Sequence, residues 1–395
     1  MMLFLLGKGN SFATVGLLVG FREFCINATN IPAGAIADLY GRRRCMILSF
    51  LAYMISFVFF GFFATNLPAL FAAFFFFGIG EAFREGTHKS MIFTWLRINN
   101  RIAEKTKIYG VTRSWSKVGS AVSIPIATAI ALFTDNLNVL FVAALVPYTI
   151  GFISLCTYPK ALDGTPEGGG SIKGVFIHMW QTVRDSIKLK GLRRLMIESM
   201  GFEGFFDVVK DYVQPMLRAM ALGLPILLSI SDKKRGIILI GIAYIFFHLG
   251  SAWSSRQAHQ LSDKHGGEDH ASRFVWWCMT GIYLAMLPCL IWKFYYPVIV
   301  IFFLLYLMQS LWRPLIISRF DSYSPDTHGT SVLSVESQAQ TFAKMVFAPL
   351  IGLAVDLLSK NGDGTKDNFW PIAAVGIAIS AYMAFTSSKP SRKTN

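Results

Sequence analysis

The stretch Gly34-Ala35-Ile36-Ala37-Asp38-Leu39-Tyr40-Gly41-Arg42-Arg43-Arg44 closes one long apolar segment and opens the next. Upstream, residues 11–37 are mostly apolar; downstream, residues 45–63 form a second apolar run. About 20 such residues cross the hydrocarbon core of a bilayer, so both runs are long enough to span it. An arginine at the bilayer centre costs about 3 kcal/mol, which keeps Arg42, Arg43 and Arg44 in water. Lys and Arg concentrate in cytoplasmic loops, so that water is cytoplasmic. The stretch reads as a charged hinge between two membrane helices.

The whole chain has a membrane composition. Of its 395 residues, 53% are hydrophobic, 14% aromatic and only 15% charged, and the mean hydropathy is +0.48, which excludes an ordinary soluble domain. The formal net charge of +14 is carried in short clusters between apolar runs, where it sets topology rather than binding nucleic acid. Cys25, Cys45, Cys156, Cys278 and Cys289 lie in or beside apolar segments without CxxC spacing, so neither a disulfide framework nor a metal site is expected. Residues 1–6 are too short for the apolar core of a signal peptide and read as the tail of a largely missing first helix.

Beyond that tail, about 11 full spans are expected, at 11–37, 45–63, 67–93, 108–133, 137–158, 192–222, 236–257, 273–292, 296–317, 329–357 and 369–387. Basic residues fall at every second connection: Arg42 to Arg44, Arg97 to Lys107, Lys160 to Arg194, Arg256 to Arg273, Arg313 with Arg319, and Lys389 to Lys393. These six belong to the cytoplasmic side, the C-terminus included. Lys233-Lys234-Arg235 is the exception, since it falls on an outward connection. Residues 159–190 differ in kind, with Gly168-Gly169-Gly170 followed by an amphipathic basic run through Trp180, Arg184, Lys188 and Lys190, and read as a cytoplasmic linker with a surface helix. The expected domains are 1–158, the linker 159–190, and 191–395.

The hinge pattern, with Gly34, Ile36, Ala37, Asp38, Gly41, Arg42 and Arg43 in place, resembles the loop between the second and third helices of the major facilitator superfamily of secondary transporters. A degenerate second copy, Leu261-Ser262-Asp263-Lys264-His265-Gly266, and a third echo, Pro349 to Asp356, agree with duplicated halves. The resemblance implies an all-α polytopic fold of two six-helix bundles rocking around a midplane cavity. It further implies that Asp38, at the cytoplasmic end of its helix, latches one state by facing the start of the 329–357 segment, with Arg42 or Arg43 bridging carboxylates. The glycine-proline element of proton antiporters is missing from 119–125, and Ala73 and Phe74 stand where drug exporters carry an arginine.

Ionisable residues at membrane depth are candidates for substrate or proton work by default. In 67–93, Glu81, Arg84, Glu85 and His88 share one helix face by i, i+3, i+4, i+7 spacing, with Lys89 beyond them. Arg22 and Glu23 fall mid-segment and are expected to pair with partners in 67–93. In the second half, Glu203, Asp207, Lys210 and Asp211 line one face, and Pro215 is expected to break the helix. Gln309, Trp312 and Arg313 follow, then Glu336, Gln340 and Lys344 spaced by four as a polar stripe. Proton coupling is expected through Glu81, Glu203 or Asp207, the last foremost. The surplus of Arg and Lys favours an anionic or zwitterionic solute.

Gly7-Lys8-Gly9 lacks P-loop spacing, which leaves no ATP site, and no cofactor is expected. No nucleophile with a base appears in the apolar segments, so an enzyme is disfavoured. The expectation is a monomeric, proton-coupled secondary transporter of a small solute in the cytoplasmic membrane. The competing expectation is a non-transporting relative that acts as a receptor or assembly partner.

Overall fold

The computed structural model describes residues 1–101, 105–134, 136–163, 184, 190–223, 232–321, 329–360 and 368–386. Among these there is no strand. The helices are α1 (Met2–Leu6), α2 (Phe12–Tyr40), α3 (Arg42–Phe62), α4 (Leu67–Ile98), α5 (Lys105–Thr134) and α6 (Asn138–Thr157). After a 3₁₀ turn at Lys160–Asp163 come α7 (Lys190–Ser199), α8 (Phe205–Val209) and α9 (Val213–Gly223), joined by a π-turn at Met200–Gly204 and a 3₁₀ turn at Lys210–Tyr212. The rest are α10 (Asp232–Arg256), α11 (Ala258–Lys264), α12 (Glu268–Ile291), α13 (Tyr295–Asp321), α14 (Gly329–Lys360) and α15 (Trp370–Thr386).

Among the described residues, seven helices are long and apolar enough to cross a membrane, within α3, α4, α6, α10, α12, α13 and α14. Their exposed faces are apolar too. On α10, Ile242, Phe246, Leu249 and Trp253 recur at i, i+4, i+7 and i+11, so one stripe of the helix faces outward and suits lipid.

Contacts divide the chain into two compact units, one of Phe21–Gln181 and one of Met1–Gly20 with Thr182–Asn395. Met1–Gly20, expected in the N-terminal half, therefore groups with the C-terminal residues. Glycine is the physical reason. A Cβ on Gly16 would lie 2.3 Å from the Ala348 carbonyl oxygen, and one on Gly352 would lie 2.3 Å from that of Phe12, so the start of α2 meets α14 backbone to backbone.

In the unit Phe21–Gln181, α3 packs on α4 and α6. The Ser49 hydroxyl donates to the Gly80 carbonyl at 2.7 Å, and Asn138 Nδ2 donates to the Gly61 carbonyl at 2.9 Å. Rings fill the rest: Tyr148 meets Phe57 edge-on at 4.8 Å and Tyr53 at 5.3 Å. The other unit is built around Trp312, which is fully buried, stacks on Phe202 at 4.5 Å and takes Trp276 edge-on at 5.1 Å. Gly376 lets α15 approach Tyr283 of α12, since a Cβ there would meet the ring at 2.6 Å.

Candidate functional site: the hinge and the charged groups at membrane depth

The hinge turns on Gly41, whose φ of +101° is left-handed and suits glycine alone. A Cβ at Gly41 would lie 2.5 Å from Asp163 Oδ1. That oxygen instead accepts the Arg43 N–H at 3.0 Å, and Arg43 Nε lies 3.8 Å from Asp163 Oδ2. Arg43 Nη1 also donates to the Cys156 carbonyl at 3.1 Å, while Arg42 Nη1 donates to the Thr94 hydroxyl at 2.5 Å. Arg43 thus meets the Asp163 carboxylate through both its backbone and its side chain. Gly34 and Asp38 lie in α2, and the Asp38 side chain is outside the described residues, as are those at the start of α14. The second copy of the pattern turns at Gly266, φ +73°, followed by Gly267 at +127°. The amphipathic run from Trp180 to Lys188 lies outside the described residues except for Arg184.

In α4, Gly78 and Gly80 let two helices close in: a Cβ on Gly78 would sit 2.9 Å from Cys25 Cβ of α2, and one on Gly80 3.1 Å from the Ser49 carbonyl of α3. This brings Glu81 to Tyr53. The Tyr53 hydroxyl donates to Glu81 Oε2, Arg84 Nε donates to that hydroxyl at 3.1 Å, and Arg84 Nη2 lies 2.5 Å from Glu81 Oε1. Tyr53 is buried, whereas the side chains of Glu81 and Arg84 are 26% and 46% exposed, so an anion and a cation stand paired and partly exposed. The Glu85 and Lys89 side chains are outside the described residues; His88 is exposed. Arg22 pairs with its neighbour Glu23 at 2.5 Å and sits over the Phe77 ring at 5.9 Å. On α4 the Phe77 ring thus offers its face to the Arg22 guanidinium.

In the other unit a ladder of buried carboxylates runs from α7 to α8. Glu198 and Glu203 are five residues apart, more than one α-turn, and the π-turn Met200–Gly204 takes up the extra residue. Both therefore reach α13. Arg319 Nη1 donates to Glu198 Oε2 at 2.6 Å and its Nε to Asp269 Oδ1 at 2.7 Å, while Arg194 Nε meets Glu198 Oε1 at 3.2 Å. Gln309 Nε2 donates to Glu203 Oε2 at 2.9 Å. Glu203 Oε1 is buried and has no hydrogen-bond partner among the described residues.

Glu336 of α14 accepts from Ser199 Oγ at 2.9 Å, from Arg313 Nη1 at 2.6 Å and from Gln340. Asp207 is held by Lys210 at 2.5 Å and by Lys344 from α14. The expected stripe Glu336, Gln340, Lys344 thus faces α7 and α8. The helix is interrupted one turn before Pro215, where a proline ring crowds the carbonyl four residues back, that of Asp211. Pro215 is the third residue of α9, and its missing N–H falls in the first turn after the 3₁₀ segment Lys210–Tyr212.

Comparison with known proteins matches residues 2–348 to the Major Facilitator Superfamily model. The chain belongs to the Major Facilitator Superfamily. Solved structures with this fold include the nucleoside transporter NupG, with a TM-score of 0.76 at 10% identity over 97% of this chain and 91% of that one. They also include a D-xylose-proton symporter, at 0.68 and 14% identity over 96% and 90% of the two chains. A POT family transporter in complex with a thioalcohol-conjugated peptide scores 0.69 at 13% identity over 97% and 90%. Among curated proteins none matches the chain.

This superfamily member is a multi-pass membrane transporter rather than an enzyme. Sequence reasoning singled out its charged residues and missed Tyr53, Tyr148 and Ser199. A tyrosine in an apolar run is a usable signal, since a buried hydroxyl must find a partner. Which partner it finds is set by helix packing. Asp356, seen in the sequence only as a worn motif echo, accepts the first two N–H groups of α2.

Proposed function

We propose that the protein is a secondary active transporter that moves a small zwitterionic or anionic solute by alternating access, coupled to protons at Glu203. The observation that carries the coupling is the open oxygen Glu203 Oε1. Asp207, the foremost proton carrier by sequence, has lysine ammonium groups on both oxygens, and Glu336 is committed to Arg313, Ser199 and Gln340. Glu203 alone of the three keeps a position where a proton can arrive and leave without first breaking an ion pair. The Glu81–Arg84 pair supports a zwitterionic solute, because it offers one charge of each sign side by side. NupG, a nucleoside transporter, and the D-xylose-proton symporter share the fold. Gly34, Asp38, Gly41, Arg42 and Arg43 serve in this reading as the conformational latch, with Arg22, Glu23, Glu85, Gln309, Arg313 and Gln340 as supporting polar groups. The protein works as a monomer in the cytoplasmic membrane, with two six-helix bundles and its C-terminus inside.

The test is solute flux in proteoliposomes with and without an imposed proton gradient, across nucleosides, sugars, amino acids and short peptides. Glu203→Gln should abolish uphill accumulation and retain exchange of solute for solute. Asp207→Asn should lower both rates together. Accumulation by Glu203→Gln equal to wild type removes the coupling assignment.

A further inference from the structure

A groove of about 360 Å³ opens on the outer surface of the unit Met1–Gly20 with Thr182–Asn395, lined by Leu217 and Met220 of α9, Leu239 and Phe246 of α10, and Val300 and Phe303 of α13. Every lining residue is apolar. Phe246 and Val300 are 62% and 60% exposed and belong to the face that suits lipid. One turn beyond Leu239 the surface changes character. Lys234 and Arg235 stand in the first turn of α10, and Gly236 lets α9 approach there, since a Cβ on it would lie 3.5 Å from Arg218 Cγ. Arg218 is exposed and makes no hydrogen bond or ion pair among the described residues. The sequence sets three basic residues, Lys233 to Arg235, against the single Asp232 in this turn. This is also the one basic cluster that the bias toward cytoplasmic loops does not explain.

We propose that the groove and its basic rim bind an anionic phospholipid, one acyl chain in the groove and the phosphate against Arg218 and Lys234. The match is one of charge and polarity along a single line. From Leu239 to Phe246 the groove follows α10 for about 10 Å of purely apolar wall, which fits a hydrocarbon chain and offers a polar solute nothing. The basic rim begins where that wall ends, as a headgroup begins where its chain ends. A single apolar partner leaves Arg218 without a counter-charge, and a free phosphate leaves the groove empty. Each basic residue near an anionic lipid surface is worth about fivefold in binding.

Native mass spectrometry of the full chain in mild detergent tests this. The titrants are phosphatidylglycerol, phosphatidylcholine with the same acyl chains, and soluble glycerol 3-phosphate. Phosphatidylglycerol should bind at least tenfold more tightly than phosphatidylcholine, and glycerol 3-phosphate should not be retained. Arg218→Gln with Lys234→Gln should lower phosphatidylglycerol affinity about twentyfold and phosphatidylcholine affinity much less, because the choline cation already offsets the charge of its phosphate. Ala243→Phe, which fills the groove wall, should weaken both lipids while the thermal midpoint of the lipid-free protein holds. Equal affinity for the two lipids, retention of glycerol 3-phosphate as tight as the lipid, or a lipid-free dimer seated on this face would each overturn the proposal.

Discussion

Asp356 grips the start of α2: its Oδ1 accepts the Phe12 N–H at 3.0 Å and its Oδ2 accepts the Ala13 N–H at 2.7 Å. The positive end of one helix is thus closed by a carboxylate from another, in the manner of a capping residue supplied across the fold. Loss of a cap costs about 1 kcal/mol, and more where the acceptor is charged. Asp356→Ala should lower the thermal midpoint of the purified protein. Asp356→Asn should fall between it and wild type, because the amide keeps one acceptor oxygen. An unchanged midpoint in both would show that the cap contributes nothing.

The same helix pair meets at Gly352, where an added Cβ would press on the Phe12 carbonyl carbon at 2.8 Å as well as its oxygen. Backbone cannot yield as a side chain can. Gly352→Ala should cost roughly 1–3 kcal/mol, as overpacking does. Gly281→Ala is the control, since nothing lies within 4 Å of the new methyl, and its stability should be within about 0.5 kcal/mol of wild type. Thermal denaturation of the two variants side by side decides the matter.

Glu198 is fully buried and draws Arg319 and Arg194. Arg319→Ala strands most of that charge and should cost roughly 3–5 kcal/mol, read as lost folded yield and a lower thermal midpoint. Pairing it with Glu198→Leu removes the stranded charge and should recover much of the loss. A double variant no better than Arg319→Ala would mean that packing, and not charge, holds α7 to α13.

At the hinge, Gly41→Ala meets two obstacles, a left-handed φ and the Asp163 carboxylate at 2.5 Å. It should lower both folded yield and transport. Asp163→Ala relieves the clash and forfeits the Arg43 contacts, so the pair Gly41→Ala with Asp163→Ala should lose less than the sum of the single changes. Strict additivity, measured by thermal midpoint, would separate the two residues.

Tyr53→Phe removes only the hydroxyl shared by Glu81 and Arg84 and leaves the ring against Phe77 and Tyr148. Stability should fall by about 1 kcal/mol. The solute affinity should fall further, because the orientation of the Glu81–Arg84 pair rests on that hydroxyl. Equal affinity with reduced stability would make Tyr53 structural only.

By itself the sequence determined the class of molecule. Long apolar runs, basic clusters at alternate connections and the Asp38-to-Arg44 hinge are local patterns, and a bilayer converts each directly into structure because backbone groups in hydrocarbon must be satisfied within one helix. Helix limits were legible for the same reason, within a few residues for α2, α3 and α6. The partners were not. That Asp207 falls between Lys210 and Lys344, that Glu203 keeps one open oxygen, and that Arg22 turns to its neighbour depend on where separate helices cross. The π-turn at Met200–Gly204 shifts the register of every carboxylate after it, and no spacing rule announces such an insertion. Asp356 shows the division most clearly: its place at the end of an apolar helix is written in the sequence, while its grip on Phe12 and Ala13 exists only because Gly16 and Gly352 let two distant helices touch.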